Sequence, residues 1–282
     1  MYKILKKKHL NDSVVSMDIY APKVAQRAEP GQFIILRVFK DGERIPLTIA
    51  DFDREKGTVK IIFQVVGSTT KRLEQLEVLD SLEDFVGPLG NKTKLDGLKK
   101  VVVIGGGVGC AIAYPIAKKL HNLGATVHSI VGFRNKDLVI LEDEFKAVSD
   151  EFFVNTDDGS YGEKGLVTNS LEKLLLSGEK YDEAIVIGPL IMMKFVCELT
   201  KKYKLKTVVS MNPIMIDGTG MCGGCRLTVN NQVKFACVDG PDFDGHQVDF
   251  DEAIDRLGMY REFESQKYEE TCNLFKNKPL ED

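Results

Sequence analysis

Apolar positions in the first part of the chain alternate or form short runs, at residues 14–20, 33–38, 45–49, 58–66 and 81–86. Turn residues separate them: Glu29-Pro30-Gly31, Asp41-Gly42 and Lys56-Gly57. Runs this short, at this spacing, predict the strands of a small barrel or sandwich. One helix interrupts them, starting near Thr69 and carrying Leu73 and Leu76. Gly87-Pro88-Leu89-Gly90 breaks the pattern, and residues 91–100 read as a polar linker. The texture then changes. Strands at 100–104, 126–131, 151–155, 183–187 and 206–210 alternate with helices ending at Leu120 and covering 141–147, 166–176 and 192–202. Such alternation predicts βαβ units and a parallel sheet. A hairpin around Asn230-Asn231 and a tail that is helical over 252–263 complete the chain. The expected fold class is α/β plus all-β, divided into a barrel (1–98), an α/β nucleotide-binding domain (99–212) and a small C-terminal module (213–282).

Chemistry concentrates where glycines and cysteines interrupt these elements. Asp217, Cys222, Cys225 and Cys237 fall in one stretch, with four, two and eleven residues between successive members. That is the plant-type spacing of a [2Fe-2S] site, with aspartate in the first ligand slot. Glycines at 218, 220, 223 and 224 suit a tight loop that turns its N–H groups toward sulfurs, because glycine adopts positive φ without a Cβ penalty. Three thiols and a carboxylate also suit a structural zinc, so that alternative stays open at this level. Cys110 and Cys197 lie in apolar helical patterns and read as core, and Cys272 has no paired spacing. No two of the four histidines stand at ligand spacing, and no nucleophile, histidine and acid set appears.

Three further features point to nucleotides. Gly105-Gly106-Gly107-Val108-Gly109 joins the first strand and helix of the alternating region, where open α/β sheets bind a pyrophosphate. Cys110 occupies the third glycine position of the strict fingerprint, which weakens the match. Gly188-Pro189 follows another strand end. In the barrel half, Arg44-Ile45-Pro46-Leu47-Thr48 groups an arginine, a fixed turn and a hydroxyl. Gly67-Ser68-Thr69-Thr70 opens a helix, where free N–H donors and the helix dipole favour phosphate. Ordinary N-capping is the competing reading there.

Composition narrows the rest. A 282-residue chain is long for one core, so two domains and an appendage are expected. A net charge of −4 gives no reason to expect nucleic acid. No run approaches the 18 or so apolar residues of a membrane helix, and Lys6, Lys7 and Lys8 follow the N-terminus without an apolar signal region. A cytoplasmic location is the expectation, with no membrane partner.

Taken together, R-x-P-L-T and G-S-T-T on a barrel, G-G-G-V-G opening a nucleotide domain, and a late cysteine loop resemble the ferredoxin–NADP reductase superfamily over essentially the whole chain. Within it the chain is similar to the electron-transfer branch that includes the dihydroorotate dehydrogenase electron-transfer subunits. It is more similar still to the small subunits of NADH-dependent ferredoxin:NADP oxidoreductase, which share the aspartate at position 217. The resemblance implies FAD held by Arg44, Pro46, Leu47 and Thr48, with Gly67, Ser68, Thr69 and Thr70 at its phosphates. It implies a nicotinamide nucleotide at Gly105, Gly106, Gly107 and Gly109, flanked by Gly188 and Pro189, and a [2Fe-2S] cluster on Asp217, Cys222, Cys225 and Cys237. NAD(H) is the implied nucleotide, although Arg134 and Lys136 hint at NADP(H). A larger iron–sulfur flavoprotein subunit is the implied partner in a heterodimer, with ferredoxin reached through the complex. No side chain is assigned as a catalytic acid or base, because the cofactors carry the chemistry.

Overall fold

A computed structural model describes residues 2–276. Seven strands come first: β1 (Tyr2–Asn11), β2 (Val14–Tyr20), β3 (Phe33–Arg37), β4 (Arg44–Asp53), β5 (Thr58–Gln64), β6 (Ser81–Leu82) and β7 (Asp84–Leu89). They pair antiparallel in the order β6-β1-β2-β5-β4-β3-β7 and form a nearly closed barrel. Alternation turns one side of each strand inward, so Ile4, Met17, Ile19, Leu36, Ile61, Phe63 and Phe85 fill the interior. Each such burial stabilises by roughly 1.5–3 kcal/mol. Two short helices, α1 (Pro22–Ala25) and α2 (Ser68–Glu74), plug the barrel, the latter through Leu73.

Three details depart from the sequence reading. β1 was not expected, because Ile4 is its one buried side chain and the alternation is correspondingly faint. The run at 81–86 divides between β6, which pairs with β1, and β7, which pairs with β3. The Gly87-Pro88 break does not end the strand, since β7 runs on to Leu89. It lies at the sheet edge with β3 as its one neighbour, where a proline without an N–H is tolerated.

The second unit contains parallel strands β8 (Lys100–Gly106), β9 (Thr126–Phe133), β10 (Glu151–Thr156), β11 (Glu163–Lys164), β12 (Glu183–Ile187) and β13 (Thr207–Ser210). A hairpin follows, β14 (Arg226–Val229) with β15 (Gln232–Phe235), and then β16 (Asp242–Asp244) pairs antiparallel with β13. The order is β11-β10-β9-β8-β12-β13-β16. The chain therefore moves outward from β8 in one direction, then returns to β12 on its other side, leaving a switch point between β8 and β12. Helices α3 (Cys110–Asn122), α4 (Glu142–Lys146), α5 (Val167–Leu176) and α6 (Leu190–Lys202) cover the two faces. Buried Cys110, Ala113, Ile116, Ala117 and Leu120 recur three or four residues apart, which gives α3 its one apolar stripe.

The predicted tail helix is two helices, α7 (Phe250–Gly258) and α8 (Arg261–Lys276). Helix α8 packs on the barrel, with the hydroxyls of Thr271 and Ser68 2.6 Å apart. Elsewhere barrel and sheet are joined by Lys118 of α3, whose Nζ lies 3.0 and 3.1 Å from the two Asp51 oxygens of β4. A half-exposed pair of this kind contributes at most about 1 kcal/mol, so its main effect is orientation.

Candidate functional site

A cleft of about 680 Å³ opens between the barrel and the carboxyl ends of β8 and β12, at the switch point of the sheet. Pro46 and Thr48 form its barrel wall, while Gly106, Gly107, Gly109, Gly188 and Pro189 form the opposite one. These residues are far apart in sequence and the fold brings them together. Strand alternation explains the barrel side. Pro46 and Thr48 point to the cleft, whereas Ile45 and Leu47 pack against the barrel interior. Arg44 is exposed and stands outside the lining.

The two glycine turns touch through their backbones. A Cβ on Gly109 would lie 2.6 Å from Ile187 O and 2.8 Å from Gly188 Cα, so only glycine lets these segments approach this closely. Gly105 lies within β8 itself, against the Cys110 thiol, where its small size serves strand–helix packing. Burial pushes that thiol well above its ordinary range, in keeping with a core residue.

Gly67, Ser68, Thr69 and Thr70 lie outside the cleft lining, at the start of α2. Thr70 Oγ1 accepts from Val66 N and Gly67 N, and Thr69 donates to Glu43 at 2.8 Å. Capping therefore accounts for Thr70. The N–H groups of residues 68–70 precede the first intrahelical bond, from Lys71 N to Gly67 O, and remain the donors this turn offers to an anion.

The lining extends beyond these motifs, to Arg134, already a nucleotide candidate from the sequence, and to Asp157, which no motif marks. Arg134 follows β9 and Asp157 follows β10, and both line the same wall because those strands are parallel neighbours. Lys136 instead turns its ammonium over the Tyr161 ring. The segment Ser210, Met211, Asn212, Pro213 and Met215 completes the lining and leads directly to Asp217.

The cysteine loop thus grows out of the cleft wall. Gly218, Gly220 and Gly223 adopt φ of +76°, +81° and +68°, while Gly224 does not take positive φ. The two Asp217 oxygens accept N–H bonds from Thr219 (2.8 Å) and Cys222 (2.9 Å). Those bonds, that of Thr219 foremost, hold the carboxyl below its usual range and leave lone pairs available on both oxygens. Cys225 and Cys237 are buried with their sulfurs 3.2 Å apart, and Cys222 is exposed. Burial and the adjoining Cys225 thiol push Cys237 up to about 12, so two thiolates here require a compensating cation. Among the described residues no three His, Cys, Asp or Glu side chains gather around one ion position. The donor set is soft thiolate, and the loop lies against the barrel: a Cβ on Gly218 would meet Leu89 and Ile35 at 2.7 and 2.8 Å. Asn91 ties it further, donating from N to Gly240 O (2.7 Å) and from Nδ2 to Val238 O (3.0 Å).

A barrel facing the switch point of a parallel sheet, with a cysteine loop beside the cleft between them, defines an oxidoreductase of the ferredoxin-reductase class. Residues 212–249 match the iron–sulfur cluster binding domain of dihydroorotate dehydrogenase B. The chain is 47% identical to a dihydroorotate dehydrogenase B (NAD(+)) electron transfer subunit homolog of Thermotoga maritima, over 94% of each chain. It is 35% identical to the dihydroorotate dehydrogenase B (NAD(+)) electron transfer subunit of Geobacillus thermodenitrificans, covering 80% of this chain and 88% of that one. The solved structure of NADH-dependent reduced ferredoxin-NADP oxidoreductase, described for flavin-based electron bifurcation, superposes with a TM-score of 0.91 at 45% identity, over 96% of this chain and 98% of that one. The chain belongs to the family of dihydroorotate dehydrogenase B electron transfer subunits and their homologues.

Proposed function

We propose that the chain is the electron-transfer subunit of a heteromeric oxidoreductase, binding FAD, NAD(H) and a [2Fe-2S] cluster. Residues 1–98, 99–212 and 213–282 are the modules for the three groups in that order. The observation that carries the reading is the cleft itself: Thr48 and Pro46 face Gly106–Gly109 and Gly188-Pro189 across one cavity whose wall continues into Asp217. When bound, the flavin and the cluster convert a two-electron hydride donor into single electrons.

The chain's residues bind and orient. Arg44, exposed on β4, supplies charge to the FAD pyrophosphate, and the first-turn N–H groups of residues 68–70 supply donors. Thr48 presents a hydroxyl to the flavin ring, and Leu47 acts through its backbone. The glycine turns let a dinucleotide lie close to main-chain N–H groups. Asp157 at the cleft wall supports NAD(H), since a carboxylate accepts from a ribose hydroxyl and repels a 2′-phosphate. Cys222, Cys225, Cys237 and Asp217 hold the cluster near the barrel, and packing excludes water from two of the thiols. Exposed apolar Ile216, Met221 and Val238 flank these ligands, which supports a larger iron–sulfur flavoprotein subunit docking there and passing electrons to or from ferredoxin. No helix among the described residues is long and apolar enough to cross a membrane.

The test is a visible spectrum of anaerobically purified protein, with iron, zinc and flavin counted on the same sample. Flavin bands with broad cluster absorption, both bleached by NADH, are expected. A colourless protein containing zinc would overturn the reading.

A further inference from the structure

One buried acid belongs to neither the nucleotide cleft nor the cysteine ligand set. Asp242 lies on β16, paired with Ser210 of β13. Its neighbours belong to both sites: Ser210 and Pro241 line the cleft, and Pro241 ends the short segment that starts at Cys237. Thr93, in the linker from the barrel, donates to Asp242 Oδ2 at 2.6 Å. Barrel, sheet and cysteine loop therefore meet at this carboxyl. Its Oδ1 is buried and has no hydrogen-bond partner among the described residues.

The surrounding charges do not favour a carboxylate. The linker and β13 present hydroxyls, those of Thr93 and Ser210, which ease ionisation only in part. From β12 comes the carboxylate of Glu183, whose field opposes it, and the ammonium of Lys206 is already engaged with Glu183. Within the same segment, Asp239 accepts from Phe235 N, and Asp244 accepts from His246 N and Gln247 Nε2. No cation is paired with Asp242 among the described residues. Burial is the largest influence and raises the carboxyl to about 6.

An electron placed in the cleft or the cysteine loop adds negative charge beside a buried carboxyl, which then gains affinity for a proton. We propose that Asp242 is the group that takes up a proton when the bound cofactors are reduced and releases it when they are reoxidised. For each such event one electron arrives from the hydride donor or an external reductant, one proton enters from solvent, and the carboxylate becomes a carboxylic acid. Reoxidation returns both. Asp242 acts through charge, as a positioning residue rather than a catalytic one. This inference rests on the flavin and cluster reading above.

The experiment is a potentiometric titration of the holoprotein between pH 5 and 8, following cluster absorption, for wild type, Asp242→Asn and Asp242→Glu. Iron and flavin are counted first, and a wild-type sample lacking both overturns the functional reading and this inference with it. With both present, the wild-type electron affinity is expected to fall about tenfold per pH unit above pH ~6, which is about 59 mV per unit for a one-electron couple. Asp242→Glu keeps that dependence and Asp242→Asn loses it. A pH-independent wild type, or an unchanged slope in Asp242→Asn, overturns the assignment while leaving the cofactor reading intact. Because Asp242→Asn tests a buried position, infrared difference spectra of the wild type provide a second measure. Reduction should produce a carboxylic acid carbonyl band that shifts in D2O, and its absence is equally decisive against the proposal.

Discussion

Gly109→Ala tests whether contact between the two glycine turns sets the nicotinamide site. The φ of Gly109 is −59°, so alanine is conformationally acceptable and the effect is purely steric. The added Cβ lies 2.6 Å from Ile187 O, where ordinary contact begins at 3.4 Å, a deficit of about 0.8 Å. Both obstacles, Ile187 O and Gly188 Cα, are main chain, so the turns must separate by about that amount instead of a side chain rotating aside. Overpacking of this kind costs about 1–3 kcal/mol of stability. Misplacing a reactant by about 1 Å can slow its reaction about 10²-fold, so flavin reduction by NADH should slow by one to two orders of magnitude. Anaerobic rapid mixing measures that rate, with flavin content expected to be unchanged because the residues proposed to hold FAD lie on the barrel. Gly107→Ala is the comparison: its φ of +54° strains alanine, but nothing lies within 4 Å of the new Cβ. It should cost about 1–2 kcal/mol of local strain with a smaller kinetic effect. A Gly109→Ala rate within twofold of wild type would refute the argument from close approach.

Three other outcomes are expected. Arg44→Ala should lower FAD occupancy at least tenfold, measured by flavin released on denaturation, and full occupancy would remove Arg44 from the pyrophosphate. Cys225→Ser should abolish bound iron while flavin and NADH-to-dye activity persist, as read by metal analysis and spectra, and loss of the fold instead would indicate a structural metal. Asp242 has its folded pKa raised from 3.8 to about 6, so the native state holds the extra proton between those values and stability falls as pH rises through that window. That amounts to about 3 kcal/mol at 1.36 kcal/mol per pKa unit. Asp242→Asn should remove this loss, making the variant relatively more stable at pH 8 than at pH 4, and parallel unfolding curves with pH would contradict the burial argument.

The chain's pattern of apolar residues determined which elements form, because strand and helix periods are local properties. The period-two runs became β2 to β5, and the strand–helix alternation became the parallel sheet at nearly the expected residues. The cysteine spacing and glycine-rich turns were legible for the same reason: a tight loop writes its ligands close together in sequence. Elements with little buried surface escaped notice, such as β1 with its single inward Ile4 and the three-residue β16.

Only the tertiary structure decided what those elements face. That Pro46 and Thr48 share a cavity with Gly109 and Gly188 follows from packing a barrel against a sheet, and no local pattern encodes it. Asp157 after β10 lines the cleft beside Arg134 after β9, because parallel pairing sets neighbouring strand ends together. The Ser68 hydroxyl meets that of Thr271, on a helix 203 residues later in the chain, a contact only the fold supplies. The surroundings of Asp242, with Thr93, Ser210 and Glu183 drawn from three distant segments, are likewise assembled only by the fold. Short-range periodicity specifies the pieces, whereas burial and electric field are sums over neighbours that only the folded chain supplies.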